Sequence, residues 1–302
     1  MSSSVTPHLD PALVSDCHEH GFTSVPQIST PEELTLLRSV FERLFAQCAG
    51  RREGAQYDML GHDGEGAEQR LPTILNPVNY APELRRLRCR DHAAVIARAL
   101  LGPGATATFE HAILKPPRQG AATPWHQDEA SGDDFGFPYP RLSIWMPLQD
   151  ATIDNGCMWF SPGSHRLGVL RHRSPDNDPR VHALECVGTF NAGQAVACPI
   201  PAGAATAHLG RTLHFAGPNR SDGPRCAYIF TFEVPAERPR ERRQFEWNTG
   251  KQPANQLRKR QWQRRGGILV EAARTLRAGV PWRRVASRLL FELRRALRGS
   301  GA

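Results

Sequence analysis

The sequence predicts a mainly β protein, an antiparallel sandwich or jelly roll flanked by helices and followed by a basic tail. Three observations carry this. Between about 104 and 235, short β-rich runs alternate with turns of Gly, Pro, Asn and Asp, the texture of many-stranded antiparallel folds. Helical periodicity is confined to the segments before and after that region,. Charge is also divided: residues 236–302 hold 18 of the 38 Lys and Arg but 5 of the 30 Asp and Glu, so they carry +13 and residues 1–235 carry −5. The net +8 of the 302 residues therefore reports the tail, and no nucleic-acid partner is implied for the body.

A composition of 40% hydrophobic and 23% charged residues is that of an ordinary globular protein and excludes global disorder, collagen and coiled coil. No apolar run is long enough to cross a membrane. The start, MSSSVTPHLDPAL, lacks the basic and apolar regions of a secretory signal,. The seven cysteines are scattered with no CxxC pair, so neither a disulfide framework nor a thiolate zinc site is expected, and a cytoplasmic setting fits. Neither GxGxxG nor GxxxxGK[ST] occurs, which leaves nucleotide binding without support.

Residues 1–30 open with turn formers and then enter the core as a strand at 21–25,. Thr30 suits an N-cap, with Pro31 at the first helical position and Glu32 and Glu33 in the first turn. Leu34, Leu37, Val40, Phe41, Leu44 and Phe45 then recur at helical spacing, ending near 48–50. Residues 51–80 are Gly-rich and charged and read as a long loop, a candidate cover for a site. A second helix is expected over 82–101, closed by Gly102 and Pro103. Strands are expected at 105–114, 142–148, 157–161, 183–190, 194–198, 205–209 and 225–234. The organisation is a body over 1–250, with its β core at about 104–235, and a basic helical tail over 251–302. Within the tail, 268–278 reads as a short helix. In 281–298 six arginines, from Arg283 to Arg298, share one arc opposite an apolar face, with Phe291 as the exception,. That pattern fits a peripheral membrane-surface helix, a helix docked on the acidic body, or a partner-binding helix.

The sharpest chemical signal is Trp125-His126-Gln127-Asp128. On a strand, residues two apart face the same side, so His126 and Asp128 can present an imidazole and a carboxylate to one point. Such a pair alone is more often two surface polar residues. His214, 88 residues downstream, supplies a third ligand. Two histidines and one carboxylate make the facial triad of non-haem Fe(II) oxygenases, which leaves coordination positions open. Arg225, 11 residues after His214, lies on a neighbouring strand where a guanidinium suits a bidentate grip on the far carboxylate of a dicarboxylic acid.

The ordered set of HQD at 126–128, LSIWMPL at 142–148, NGCMWFSPGSH at 155–165 and HFAGPNRS at 214–221 with Arg225 resembles the phytanoyl-CoA dioxygenase family. The likeness spans roughly 20–235. It implies a double-stranded β-helix, a cupin-like jelly roll, and an Fe(II)- and 2-oxoglutarate-dependent dioxygenase that uses O2 to hydroxylate a small-molecule or lipid-like substrate, releasing succinate and CO2. The alternative is a non-catalytic jelly-roll binding or regulatory protein. By the resemblance, His126, Asp128 and His214 bind iron, Arg225 binds the distal carboxylate of 2-oxoglutarate, and Trp145 packs beside it. Lys115 lies on a pocket-lining strand, either reaching a carboxylate or solvated at the strand end, the second being expected. His208 is expected behind the ligands, His165 in a structural turn, and Asn219 and Ser221 in shaping the loop after His214. The loops 51–80 and 130–137 are the expected substrate covers. Two departures stand out: Ala216 replaces a hydroxyl common in the family, for which Thr206 or Thr212 is the candidate substitute, and Gly203-Ala204 replaces a Gly-Asp pair. The carboxylate at 128 points to hydroxylation rather than halogenation.

Overall fold

A computed structural model describes residues 9–64, 66–118, 121–235 and 243–277, together with Trp282 and Ala286. Two antiparallel sheets face each other in a jelly-roll-like arrangement. The larger has seven strands in the order Phe22–Val25, Ala205–Leu209, Arg141–Pro147, Arg225–Glu233, Thr106–Lys115, Pro72–Leu75 and Gln56–Asp58. The smaller runs Val196–Cys198, Met158–Phe160, His214–Ala216 and Thr123–His126.

Strand alternation decides what each face of the large sheet carries. Along Arg141–Pro147, Leu142, Ile144 and Met146 join the core under the helices. Arg141, Ser143 and Trp145 face the cavity between the sheets. Along Arg225–Glu233, Tyr228, Phe230 and Phe232 point to the helices, and Arg225, Ile229 and Thr231 point to the cavity. The helix Pro31–Ala46 starts as expected: the Thr30 hydroxyl accepts from the Glu33 amide at 3.2 Å, and Leu34, Leu37, Val40, Phe41 and Leu44 are buried.

Four expectations change. The opening residues hold a helix, Pro11–His20, capped by Asp10 and closed by left-handed Gly21. Cys17 is its only fully buried side chain, so its apolar stripe is too narrow to show as periodicity. The expected 82–101 helix is two elements, the 3-10 turn Pro82–Arg86 and the helix Arg88–Leu101, separated by extended Leu87. The Glu33 carboxylate accepts from the Arg88 amide there, and so starts a fresh helix. The loop 51–80 contains the strands Gln56–Asp58 and Pro72–Leu75. Asp58 orders their connection by accepting from the amides of Leu60, Arg70 and Leu71 at 3.1, 2.8 and 2.9 Å. The expected strand over 183–190 shrinks to Glu185–Cys186.

The C-terminal helices Ala254–Trp262 and Ile268–Arg277 follow the body. Arg258 donates to the carbonyls of Arg51 and Gln56 at 3.0 and 3.1 Å and to the Asp63 carboxylate, and Arg274 pairs with Glu53 at 2.5 Å. The amphipathic stretch 281–298 lies outside the described residues apart from Trp282 and Ala286. Among the described residues no helix is long and apolar enough to cross a membrane.

Candidate metal and cosubstrate site

Neighbouring strands of the small sheet deliver the two histidines. His126 and His214 are register partners, and their ring centroids stand 4.1 Å apart. Each ring is oriented by a backbone carbonyl: His126 Nδ1 lies 2.8 Å from the Pro124 oxygen and His214 Nδ1 2.9 Å from the Thr212 oxygen. A proton held at Nδ1 leaves the Nε2 lone pair free for a metal, the usual outer support of a ligating histidine.

Asp128 reaches the same point by another route than expected. The strand Thr123–His126 has ended, and Asp128 opens the 3-10 turn Asp128–Ser131. Gln127 bends the chain. Its amide N–H meets His172 Nε2 at 3.1 Å, its side chain donates to the carbonyls of Gly168 and Arg211, and it accepts from the Leu170 amide. Asp128 Oδ1 consequently stands 3.9 Å from His126 Nε2 and 3.6 Å from His214 Nε2. The three ligand atoms lie within 4.8 Å of one another. Donors about 2.1 Å from one ion stand at most about 4 Å apart, so these two separations fit a shared cation. Oδ2 accepts from Ser143 Oγ at 2.5 Å and faces His208 Nε2 at 3.3 Å. Burial works to raise the Asp128 pKa, but His214 and His208 hold the carboxyl well below its ordinary value. Burial, with the neighbouring His126 and His208, keeps His214 neutral by lowering its pKa. Deprotonated ligands are what a metal requires.

Arg225 is 2% exposed and lines the same cavity. Its Nε and Nη1 have no hydrogen-bond partner, and its guanidinium lies over the Trp145 ring at 5.3 Å. Burial lowers its pKa to about 10, so it remains charged at neutral pH. Buried, unpaired charged donors are costly unless a ligand satisfies them. That orphaned pair is the observation by which the site fits an oxo-dicarboxylate.

Lys115 is neither solvated nor open to a cosubstrate. It is 1% exposed, and Nζ donates to the carbonyls of Ala121, Ala216 and Gly217 at 3.3, 3.0 and 2.5 Å. Burial and nearby Arg225 push its pKa down to about 6, against the pull of three carbonyls that match an ammonium's three donors. The strand end on which it sits is roofed by the loop after His214. Asn219 Nδ2 fastens that loop to the carbonyls of Lys115, Pro116 and Gly223, and Ser221 Oγ donates to Asn219 Oδ1. Thr212 turns away from the site, donating to the Gly21 carbonyl at 2.7 Å, whereas Thr206 Oγ1 is buried without a partner. His165 binds the His18 carbonyl at 3.2 Å, in keeping with a structural turn.

The cavity has a volume of about 500 Å³. Both loops expected as covers contribute lining residues: Tyr57, Met59 and Leu71 from one, Ser131 and Gly132 from the other. Sequence reasoning missed Arg141, Ser143, His111 and His182 at this cavity. For the first two the signal was present, because both alternate with Trp145 on one strand face.

Comparisons with known proteins bear on this geometry. The family model described as phytanoyl-CoA dioxygenase (PhyH) matches residues 17–227. "Phytanoyl-CoA dioxygenase domain-containing protein 1" of Rattus norvegicus is 34% identical over 124 residues, which are 39% of this chain and 41% of that protein. The match thus spans less than half that relative's length. A "probable alpha-ketoglutarate-dependent hypophosphite dioxygenase" of Stutzerimonas stutzeri is 27% identical over 213 residues, covering 67% of this chain and 71% of that protein. Among solved structures, EvdO2 from Micromonospora carbonacea var. aurantiaca complexed with 2-oxoglutarate superposes with a TM-score of 0.66 at 34% identity, over 79% of this chain and 96% of that one.

Proposed function

Because the chain belongs to the phytanoyl-CoA dioxygenase family, we propose that it is an Fe(II)- and 2-oxoglutarate-dependent non-haem dioxygenase that hydroxylates a small-molecule substrate and releases succinate and CO2. The observation that carries this reading is the convergence of His126, Asp128 and His214 beside a buried guanidinium with two orphaned donors. A non-catalytic binding protein has no use for both features together.

In this reading the two sheets are the halves of a double-stranded β-helix. His126 Nε2, Asp128 Oδ1 and His214 Nε2 would hold Fe(II). The iron, with O2 and 2-oxoglutarate, supplies the oxidising chemistry. The chain's own residues orient and exclude. Arg225, whose buried Nε and Nη1 donors are unpartnered, would take the distal carboxylate of 2-oxoglutarate, with Trp145 5.3 Å from the guanidinium beside it. Ser143 and His208 engage Oδ2 of Asp128 and leave Oδ1 for the metal. Tyr57 and Met59 of the ribbon line the cavity. Substrate enters between that ribbon and the turn at Ser131, against walls that are mostly apolar. A solved relative complexed with 2-oxoglutarate supports the cosubstrate, and an L-proline trans-4-hydroxylase of Streptomyces griseoviridis, 30% identical over 204 residues, supports hydroxylation of a small molecule.

The test is succinate formation from 2-oxoglutarate with Fe(II) and ascorbate, paired with calorimetric titration of Fe(II) into metal-free protein. Slow turnover without added substrate is expected, with both turnover and tight Fe(II) binding lost in His126→Ala and Asp128→Ala. Wild-type levels of both in either variant would overturn the assignment.

A further inference from the structure

We propose that the outward face of the C-terminal helix Ile268–Arg277 docks the protein on an anionic membrane surface, with its apolar side chains inserted among the lipids and its neighbouring arginines at the headgroups. The proposal is independent of the chemistry assigned to the cavity.

The argument begins with the side of the helix that faces the body. The Glu271 carboxylate stands 3.8 Å from Lys259 Nζ and accepts from Gln263 Nε2 at 3.3 Å. Arg274 pairs with Glu53 and lies 5.3 Å from the Tyr80 ring. Ile268, on the same side, is buried. The other arc is turned to solvent. At about 100° per residue, Leu276, Leu269, Ala273, Arg277 and Val270 follow one another across about 120°, and all five are exposed. Leu269 is 66% exposed, Val270 44% and Leu276 38%. This polarity inverts that of an ordinary surface helix, which hides its apolar stripe and shows its charges.

The charge around this stripe selects the partner. Residues 254–277 hold seven Lys and Arg against one acid, Glu271. Arg258 and Arg274 are engaged by the body, at Asp63 and Glu53. Lys259, Arg260, Arg264, Arg265 and Arg277 are exposed. Further along the chain Trp282 is 61% exposed, and six more arginines follow by residue 298. Outward leucine, valine and tryptophan among arginines is the composition of a helix that lies at a lipid interface. Anionic headgroups complement the cations.

Other occupants fit this face less well. Pairing the stripe with itself about a two-fold axis would set Arg264, Arg265 and Arg277 near their own copies, and like charges across an interface oppose association. A stable protein interface also draws on about 20–30 residues a side, against the five on this arc. Nucleic acid would take the cations and leave the leucines in water. The body already holds the opposite side of the helix through Arg274. A bilayer needs no matching shape: it accepts a narrow apolar stripe by insertion and holds scattered cations electrostatically.

The experiment sediments the full-length protein with vesicles of phosphatidylcholine alone, or of phosphatidylcholine and phosphatidylglycerol in equal parts, at about 0.1 M salt. Binding to the anionic vesicles is expected to be about ten-fold or more tighter than to the neutral ones, and to weaken as salt is raised. Leu269→Gln combined with Leu276→Gln alters no charge and replaces only exposed side chains. It should weaken anionic binding about ten-fold or more and leave the urea midpoint of the body unchanged. Arg264→Gln combined with Arg265→Gln, which keeps the stripe, should reduce the preference for anionic over neutral vesicles. No binding to either vesicle, or equal binding to both, overturns the proposal. Anionic binding that survives the leucine variant overturns it too, because the contact is then purely electrostatic. Self-association in analytical ultracentrifugation that the leucine variant abolishes would give the face to a second copy of the chain and likewise overturn it.

Discussion

Replacing Arg225 with Met should make the protein more stable and nearly blind to 2-oxoglutarate. Burial lowers the guanidinium pKa from 12.5 to about 10, a penalty of about 3 kcal/mol on the folded charged form. The sign follows from linkage: the folded pKa lies below the unfolded one, so the unfolded chain binds the proton more tightly, and the penalty is complete at every pH below about 10,. Met fills much of the same volume without a charge. Loss of the contact with Trp145 returns about 1 kcal/mol, so the ligand-free variant should gain about 1–2 kcal/mol. The orphaned Nε and Nη1 each offer a charge-assisted bond worth about 1.5–3 kcal/mol, so 2-oxoglutarate should bind about 10²- to 10⁴-fold more weakly. Urea unfolding with and without 2-oxoglutarate reads both effects. At 100 times its Kd the ligand should add about 3 kcal/mol to the wild type and nothing to the variant. A variant that is less stable than wild type and binds 2-oxoglutarate within three-fold of it would refute the reasoning.

Acid should destabilise the fold through two buried histidines. His172 and His182 are held near pKa 4 by burial, below the ordinary 6.5, so the stability they contribute is present above pH 6.5 and lost as pH falls toward 4. Moving from pH 7.5 to 5 should cost about 2 kcal/mol for each; urea midpoints measure it, and an equal fall in His182→Leu would contradict the assignment. The C-terminal helix Ala254–Trp262 should act as a clasp on the cavity wall. Asp63, 6% exposed, takes Arg51, Arg258 and the Asp58 amide. Asp63→Asn should cost about 3 kcal/mol and speed amide hydrogen exchange in 51–64 and 254–262 together; exchange that rises in neither segment would dismiss the clasp.

What was legible in the sequence follows from how local each signal is. Thr30, Pro31 and the apolar period after them specify a helix within one segment, and that helix forms as read. Most strand runs were legible because each β-rich stretch is bounded by turn residues, although the run at 183–190 keeps only Glu185–Cys186 as strand. The strands at 56–58 and 72–75 were not, since their order comes from Asp58 reaching amides up to 13 residues away. The break at Leu87 depends on Glu33, 55 residues upstream of the amide it accepts from. Lys115 was misplaced for the same reason: nothing in Leu114-Lys115-Pro116 shows that the loop after His214 will fold over it. At the candidate site, the spacing of His126 and Asp128 named two side chains the structure brings together, although the strand that justified the pairing ends at His126. Gln127, through its four hydrogen bonds, does the positioning that a continued strand was expected to do.

The two sheets divide the work of the site between them. Both histidines stand on the small sheet, at paired positions of adjacent strands. Both arginines stand on the large one, at Arg141 and Arg225 of neighbouring strands. A change at the rim of the large sheet can therefore alter what is gripped without moving the imidazoles, since no strand carries both an arginine and a histidine of the site. Ser143 and His208 are the exceptions that join the halves, because both lie on the large sheet and both touch Oδ2 of Asp128. Their contacts fix which carboxylate oxygen faces the imidazoles, so the large sheet sets the orientation of the acid ligand while leaving the two rings to the small sheet.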